Sequence, residues 1–365
     1  MGFSTLGCGS SNELCDRYLA NVSAYSDAER QIVSATALPD NDSIELIAHG
    51  LRAAHEAYGD SKAIDKLPLC IAFVVQHREN NVFDQLALSY HLHEVHKITV
   101  FRLPFSLALE QTTIAEDNPA RPLKYHPPHC PSASYEVTTL YFRAAYSPSE
   151  YPSSLEWKCR FHLERSAAIK CPSILTHLAG SKKIQQILAT PSSPYLDRFL
   201  KATPYEDIID RVKATFAAIY PLDRSEAGRK AIDIARDSQK SKGFVLKPQR
   251  EGGGNNVYGS KIPPYLASLG DDDAKYRSHI LMEMIEPPPL RNTILRNGQV
   301  RSGEVICELS IYGTCLWQSD HGGKRTGKIL KNAEAGFLLR TKSRESEEGG
   351  VAAGFGAVDS PYLTD

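Results

Sequence analysis

The sequence predicts a mixed α/β protein containing a parallel sheet, and three observations carry that reading. Leu67-Pro68-Leu69-Cys70-Ile71-Ala72-Phe73-Val74-Val75 is a near-continuous apolar run, as expected of a strand buried on both faces. A polar turn from Gln76 to Asn81 and a helical stretch from Val82 to His96 separate it from a second apolar run, Ile98-Thr99-Val100-Phe101-Arg102-Leu103. Strand, helix and strand at this spacing make a right-handed parallel crossover. Finally, the short apolar strand Gly243-Phe244-Val245-Leu246 runs directly into a glycine-rich loop with charged residues at its entrance.

The remaining elements follow in order. Residues 1–66 are mostly polar, with helical character from about Ser43 to Tyr58. Residues 104–136 are rich in Pro and His and read as loop. Val137-Thr138-Thr139-Leu140-Tyr141-Phe142-Arg143 is a further strand, with Arg143 and Tyr146 at its carboxyl end. Ser153 and Glu156 have the spacing of a capping box, and Leu155, Cys159 and Leu163 keep helical spacing on the buried face of the helix they start. Ala179-Gly180-Ser181-Lys182-Lys183 opens another helix, and Ile208 to Ile219 reads as amphipathic helix. Ser278 to Glu286 is a strand stopped by Pro287-Pro288-Pro289. Arg301 to Trp317 is one long strand or a pair, with Val305, Cys307, Leu309 and Ile311 on one face and Glu308 on the other.

A length of 365 residues accommodates two domains, and a net charge of −1 provides no global field toward nucleic acid or an anionic membrane. The eight cysteines form no C-x-x-C pair, which argues against a zinc ribbon or thioredoxin-type site and suits free thiols in a reducing cytoplasm. The first residues lack the basic and apolar regions of a signal peptide, and no apolar run approaches membrane-spanning length. His91, His93 and His96 sit at i, i+2 and i+5, a spacing that does not converge on one metal along a helix; they read as a solvated face.

The chemistry concentrates in Lys247-Pro248-Gln249-Arg250-Glu251-Gly252-Gly253-Gly254-Asn255-Asn256-Val257-Tyr258. Consecutive glycines free the backbone for positive φ and close approach, so successive N–H groups can point at phosphate oxygens. Lys247 and Lys182 can neutralise phosphate charge, and Glu251 offers a hard oxygen for the Mg²⁺ that accompanies a nucleotide. Glu308 is a second carboxylate for metal or ribose. Met282-Glu283-Met284-Ile285 offers backbone groups to an adenine edge and apolar side chains to its faces. A second glycine- and alanine-rich run, Glu348 to Gly354, can close over a site, and Arg340 suits carboxylate recognition. Glu79, Asn81 and Gln85 follow the first strand, where parallel sheets bind ligands, although spacing alone favours turn, N-cap and solvated-helix duty for such residues. No Walker motif, kinase signature or nucleophile elbow is present.

Together these stretches resemble the eukaryotic glutathione synthetases, a family of ATP-grasp ligases. The likeness runs through the Lys247–Asn256 loop, Asn80 to Gln85, Tyr141 to Arg143, Leu163 to Pro172, Leu178 to Lys183, Ile280 to Glu283, Leu339 to Lys342 and Gly349 to Gly354. It implies an ATP-grasp fold with an inserted Rossmann-like, parallel-sheet substrate-binding domain. Residues 1–66 would be the remnant of an N-terminal ATP-grasp portion, 67–175 the substrate-binding domain, and 176–365 the ATP-grasp domain with its glycine-rich lid.

The implied reaction is ATP- and Mg²⁺-dependent joining of γ-glutamylcysteine to glycine through an acyl phosphate. By position, Lys182, Lys247, Gly252, Gly253, Gly254, Asn256, Tyr258, Met282, Glu283, Met284, Ile285, Glu308, Lys342 and Glu348 match ATP contacts. Glu79, Asn81, Gln85, Arg143, Tyr146, Arg340, Val351 and Ala352 match substrate contacts, and Glu251 matches a Mg²⁺ ligand. Glu348 stands where the family has Asp.

Family members are longer at the N-terminus, so the resemblance implies a chain truncated there. Two further Mg²⁺ ligands of the family fall at Gly2 and Ser4, and two substrate-binding serines at Gly7 and Gly9. The resemblance allows a homodimer, although the segment that supplies much of the family's interface is not represented. Two alternatives stay open: an ATP-binding pseudoenzyme without ligase activity, and a related ligase with another amine acceptor.

Overall fold

Every residue of the first strand from Cys70 to Val75 is buried, and the fold is organised around that fact. The computed structural model describes residues 39–79, 81–191, 193–200, 208–249, 254–270, 272–296, 299–319, 327–346 and 356–361. The described residues form α-helices, 3₁₀ turns and three sheets, the mixed α/β class the sequence predicts. The chain divides into two compact units. One runs to Ser173 and resumes at Leu290; the other is Ile174–Pro289.

The first unit begins with α1 (Ser43–Tyr58), β1 (Leu69–Val75), α2 (Val82–Glu94) and β2 (Thr99–Pro104). After α3 (Ala108–Gln111) come the short strands β3 (Thr112–Ile114) and β4 (Leu123–Tyr125), then β5 (Tyr135–Phe142), α4 (Ser154–Arg165) and β6 (Ile169–Cys171). The sheet order is β2-β1-β5-β4-β3, with β6 also on β5. β1 is parallel to both β2 and β5, the crossover expected from the spacing, whereas β4 runs antiparallel to β5.

Alternate residues of β1 serve two cores. Cys70, Ala72 and Val74 join Leu140, Cys159 and Leu163 on the α4 side. Ile71, Phe73 and Val75 join Ala48, Leu51, Leu88 and Leu92 from α1 and α2 on the other. The predicted capping box starts α4: the Ser153 hydroxyl accepts from Leu155 N, and Glu156 Oε2 accepts from Ser153 N at 3.0 Å. The predicted buried face of α4 needs one correction. Cys159 and Leu163 are buried, but Leu155, in the first turn, is exposed. Residues 104–136, read as loop, contain α3, β3 and β4; three-residue strands are too short to show a period.

The second unit contains α5 (Ile174–Ala179), α6 (Lys182–Ala189), α7 (Tyr195–Leu200), α8 (Ile208–Lys213), β7 (Ile219–Pro221) and α9 (Glu226–Arg236). These are followed by β8 (Phe244–Pro248), β9 (Val257–Tyr258), α10 (Ile262–Ser268), α11 (Asp273–Arg277) and β10 (His279–Glu283). Its sheet has the order β7-β10-β8-β9 and is antiparallel at each described pairing. The helix expected from Ile208 to Ile219 stops at Lys213. Ile219 is instead recruited into β7, where a sheet partner outweighs the helical pattern.

The chain then returns to the first unit as β11 (Leu290–Arg296), β12 (Gln299–Gln318), β13 (Lys328–Ser343) and β14 (Ala357–Asp359), an antiparallel sheet in that order. The long strand from Arg301 is thus a single element. Val305 is buried, but Leu309 and Ile311 are exposed, so the apolar alternation there does not mark a core. α1 docks against β12 and β13. Asn41 Nδ2 donates to Phe337 O at 2.9 Å beside Gly336, whose φ of +90° turns the strand past Ser43.

Candidate functional site

In the first unit, the carboxyl ends of β1, β2 and β5 open onto one polar shelf. Glu79 organises the turn that leaves β1. Its Oε1 accepts from Asn81 N at 2.8 Å, and its Oε2 from Gln85 Nε2 at 2.6 Å. Arg102, near the end of β2, donates through Nη1 to Gln85 Oε1 at 2.5 Å. Phe73, Arg102 and Tyr141 are register partners across β2-β1-β5, so they share the face that α2 covers. That register places Arg102 under the first turn of α2, which supplies Asp84 and Gln85 as buried polar groups.

Arg143 lies just past β5, and its N–H donates to Val74 O at 2.7 Å. Its guanidinium is buried, with Nη2 2.7 Å from Asp84 Oδ2 and Nη1 3.4 Å from the Tyr141 hydroxyl. Burial works against the charge of Arg143. Tyr141 and Asp84 more than offset it, so its pKa rises and the group stays protonated. Burial lowers the pKa of Arg102, with Glu79 opposing and Arg143 reinforcing the shift. Gln76 Nε2 donates to the Tyr146 hydroxyl and to Glu150 Oε1, each at 3.3 Å. The Tyr146 hydroxyl is held above its usual pKa by burial and then by the carboxylates of Glu150 and Glu79. Glu79, Asn81, Gln85, Arg143 and Tyr146 are therefore brought to one shelf, as their positions after strands suggested. Arg102, Asp84 and Gln76 belong to it as well.

A second polar group lies on β12 and β13. Glu308 and Arg340 are register partners, with Arg340 Nη2 2.7 Å from Glu308 Oε2. Lys342 Nζ stands 3.8 Å from Glu308 Oε1. The structure thus brings Glu308 together with Arg340 and Lys342, residues singled out from two separate stretches of sequence.

The second unit carries the nucleotide-type residues. Leu246 and Leu281 point into the core formed with α9 and α10. By alternation, Lys247, Val245, Ile280 and Met282 line the opposite face, where Lys247 is register partner of Ile280 and Val245 of Met282. α6 packs against β7 and β10, and Lys182 is its first residue. Lys183 N donates to Gln249 Oε1 at 3.0 Å, tying the start of this helix to the entrance of the glycine-rich loop. On the far side of that loop, Asn256 Nδ2 donates to the Tyr258 hydroxyl at 3.2 Å, and Gly254 takes a positive φ of +70°. Past β10, Met284 N donates to Gly243 O at 2.8 Å, leaving the Met284 and Ile285 side chains exposed at the strand end. Two cationic side chains, a loop entrance and exposed apolar groups beside a strand end fit a nucleotide's phosphates and base. Glu251, Gly252, Gly253, Glu348, Val351 and Ala352 lie outside the described residues, as do Gly2, Ser4, Gly7 and Gly9.

One sequence reading is corrected. His91 and His96 do not form a solvated face with His93. They are partly buried at the end of α2 and turn toward His49 of α1, while His93 is exposed. The spacing along one helix carried no information about a ligand contributed by another.

Comparison with known proteins identifies the family. A family described as eukaryotic glutathione synthase, ATP binding domain, matches residues 2–363. The glutathione synthetase large chain of Schizosaccharomyces pombe is 36% identical over 359 residues, covering 95% of this chain and 68% of that protein. The chloroplastic glutathione synthetase of Solanum lycopersicum is 40% identical, covering 89% and 54%. The glutathione synthetase of Rattus norvegicus is 36% identical, covering 98% and 67%. The chain thus spans between 54% and 68% of the length of these three relatives.

A solved glutathione synthetase-like effector from Globodera pallida, in apo form, shares the fold with a TM-score of 0.67 at 16% identity. The match covers 100% of this chain and 69% of that one. With a family match across nearly its whole length, the chain belongs to the eukaryotic glutathione synthetase family of ATP-grasp ligases.

Proposed function

We propose that this chain ligates γ-glutamylcysteine to glycine at the expense of ATP, forming glutathione. The observation that carries the proposal is the family match over residues 2–363, and the two polar sites agree with it. The dipeptide's cysteinyl carboxylate attacks the γ-phosphorus of ATP, and ADP leaves. The glycine amine then attacks the acyl carbon, phosphate departs with one former carboxylate oxygen, and the amine proton is released. Such a reaction depends on charge neutralisation and positioning more than on a nucleophilic side chain.

In this reading Lys182 and Lys247 neutralise phosphate charge. The Gly252–Gly254 loop, Asn256 and Tyr258 cover the phosphates, and Met282 to Ile285 bracket the adenine. Glu308, Lys342 and Glu348 complete the nucleotide contacts. Glu79, Asn81, Gln85, Arg143 and Tyr146 receive the dipeptide, with Arg340, Val351 and Ala352 at the peptide and acceptor end. Arg102 acts as a positioning residue by fixing the Gln85 amide. Mg²⁺, the ion that accompanies the nucleotide, would be held by Glu251 and would neutralise phosphate charge. No described helix is long and apolar enough to cross a membrane, and the six described cysteines are unpaired, which suits a cytoplasmic setting.

The test is ADP release by the purified chain with ATP and Mg²⁺. Release that requires both γ-glutamylcysteine and glycine supports the assignment, and replacing glycine by β-alanine or serine reads the acceptor. An ATP-induced rise in melting temperature without turnover would make the chain a nucleotide-binding protein and overturn the ligase reading.

A further inference from the structure

Away from both polar sites, α1 and the end of α2 bring three imidazoles together. His49 comes from the middle of α1, His91 from the last turn of α2, and His96 from the turn just beyond it. One ligand nitrogen from each lies within 4.8 Å of the other two. The ring centroids are 5.3 Å apart for His49 and His96, 5.4 Å for His91 and His96, and 6.3 Å for His49 and His91. With Zn–N bonds of about 2.0–2.1 Å, three imidazoles on a tetrahedral ion place their centroids roughly 5 Å apart. Two of the three separations already meet that value, and a modest swing of His49 or His91 closes the third.

The electrostatics fit the same reading. The Nε2 atoms of His91 and His96 are buried and have no hydrogen-bond partner, a costly state unless something occupies the space between them. The pKa of His96 is lowered by burial first, then by Arg52 and the other two imidazoles, with Glu56 opposing. A lowered pKa favours the neutral imidazole, the form that binds a metal. The carbonyl end of α2 adds a favourable field for a cation. Glu45 Oε1 stands 3.7 Å from His49 Nε2, close enough to orient that ring or to approach an ion. Two cationic side chains stand nearby: Arg52 Nη1 lies 3.5 Å from His96 Nδ1, while its Nε is held by Glu56 at 2.6 Å, and Lys331 Nζ donates to the His49 backbone O at 3.5 Å.

We propose that His49, His91 and His96 form a binding site for a zinc-class divalent cation, separate from the nucleotide's Mg²⁺ and clamping α1 to α2. Three imidazoles suit Zn²⁺ and disfavour Mg²⁺, which takes oxygen ligands in octahedral geometry. The fourth position is left for water. The clamp fastens the far end of the helix whose first turn carries Asp84 and Gln85.

The test is titration of the full-length chain with ZnCl₂, followed by calorimetry and thermal unfolding, with CoCl₂ as a spectroscopic probe. One equivalent of Zn²⁺ should bind and raise the melting temperature, whereas Mg²⁺ at the same concentration should not. Co²⁺ should give visible d–d bands without a thiolate charge-transfer band. His91→Asn with His96→Asn should weaken Zn²⁺ binding by more than about tenfold. Arg52→Ala should tighten it by removing a competing cation. The proposal is overturned if Co²⁺ shows thiolate ligation, if the double variant binds one Zn²⁺ as tightly as the parent, or if excess Zn²⁺ leaves the parent's melting temperature unchanged. The Co²⁺ spectrum of the parent decides the matter even if the variant fails to fold.

Discussion

Removing the Asp84 carboxylate should destabilise the first unit more than any surface substitution. The Arg143 guanidinium and the Asp84 carboxylate meet at 2.7 Å, with side chains 3% and 0% exposed. At an effective dielectric near 20, unit charges about 4 Å apart attract by roughly 4 kcal/mol. Asp84→Ala deletes that attraction and leaves a guanidinium in the interior, so a loss of about 3–5 kcal/mol is expected. That is a large share of the roughly 5–15 kcal/mol that holds a typical domain folded.

The assay is urea unfolding read by tryptophan fluorescence. Trp157 and Trp317 are the chain's two tryptophans and both lie in the first unit, so the signal reports that unit. Asp84→Leu combined with Arg143→Leu should recover most of the loss, because a buried pair replaced by apolar groups costs little net. The reasoning fails if Asp84→Ala costs less than about 1 kcal/mol, or if the double variant loses the sum of the two single ones.

Three further outcomes follow from named contacts. Glu136 is fully buried, and burial pushes its pKa up, but hydrogen bonds from Ser61, Tyr58, Lys62 N and Ala63 N more than offset this and lower it. Its contribution is therefore present above the unfolded carboxyl pKa and is lost as pH falls through the folded one. Glu136→Gln should cost about 2–3 kcal/mol at neutral pH and progressively less below about pH 4, as read by unfolding at several pH values. Gly336→Ala should destabilise by about 1–3 kcal/mol in the same urea assay, because φ is +90° and the new methyl would meet Ser43 Oγ and Asn41 Oδ1. Arg102→Ala frees the Gln85 amide without touching the nucleotide face. In steady-state kinetics it should raise KM for the dipeptide about tenfold and leave KM for ATP nearly unchanged.

The parallel core was legible because β1 is buried on both faces and so reads as an unbroken apolar run beside a helical stretch. The strand-end rule placed Glu79, Asn81 and Gln85 after β1 and Arg143 after β5, but spacing alone favoured turn and capping duty for the first three, and it was the family resemblance that singled them out. Arg102 was missed although it lies in a recognised strand, because its role depends on cross-strand register, which no single segment encodes. β3, β4 and β6 were missed because each is only three residues long. The alternation of β12 separated Leu309 and Ile311 from Glu308 by face, but it could not tell that Leu309 and Ile311 are exposed. The histidine trio needed a partner from α1, 42 residues before His91 in the chain, so helical spacing alone could only point away from it.

The central claim is tested most directly by following one oxygen atom. γ-Glutamylcysteine labelled with oxygen-18 in its cysteinyl carboxylate, incubated with the chain, ATP, Mg²⁺ and glycine, should transfer one labelled oxygen to each phosphate released, with release depending on glycine. Mass spectrometry of the phosphate reads this outcome. Unlabelled phosphate would mean that water rather than the dipeptide attacks ATP, and ATP binding with no phosphate release at all would mean that the chain holds the nucleotide without joining anything to it.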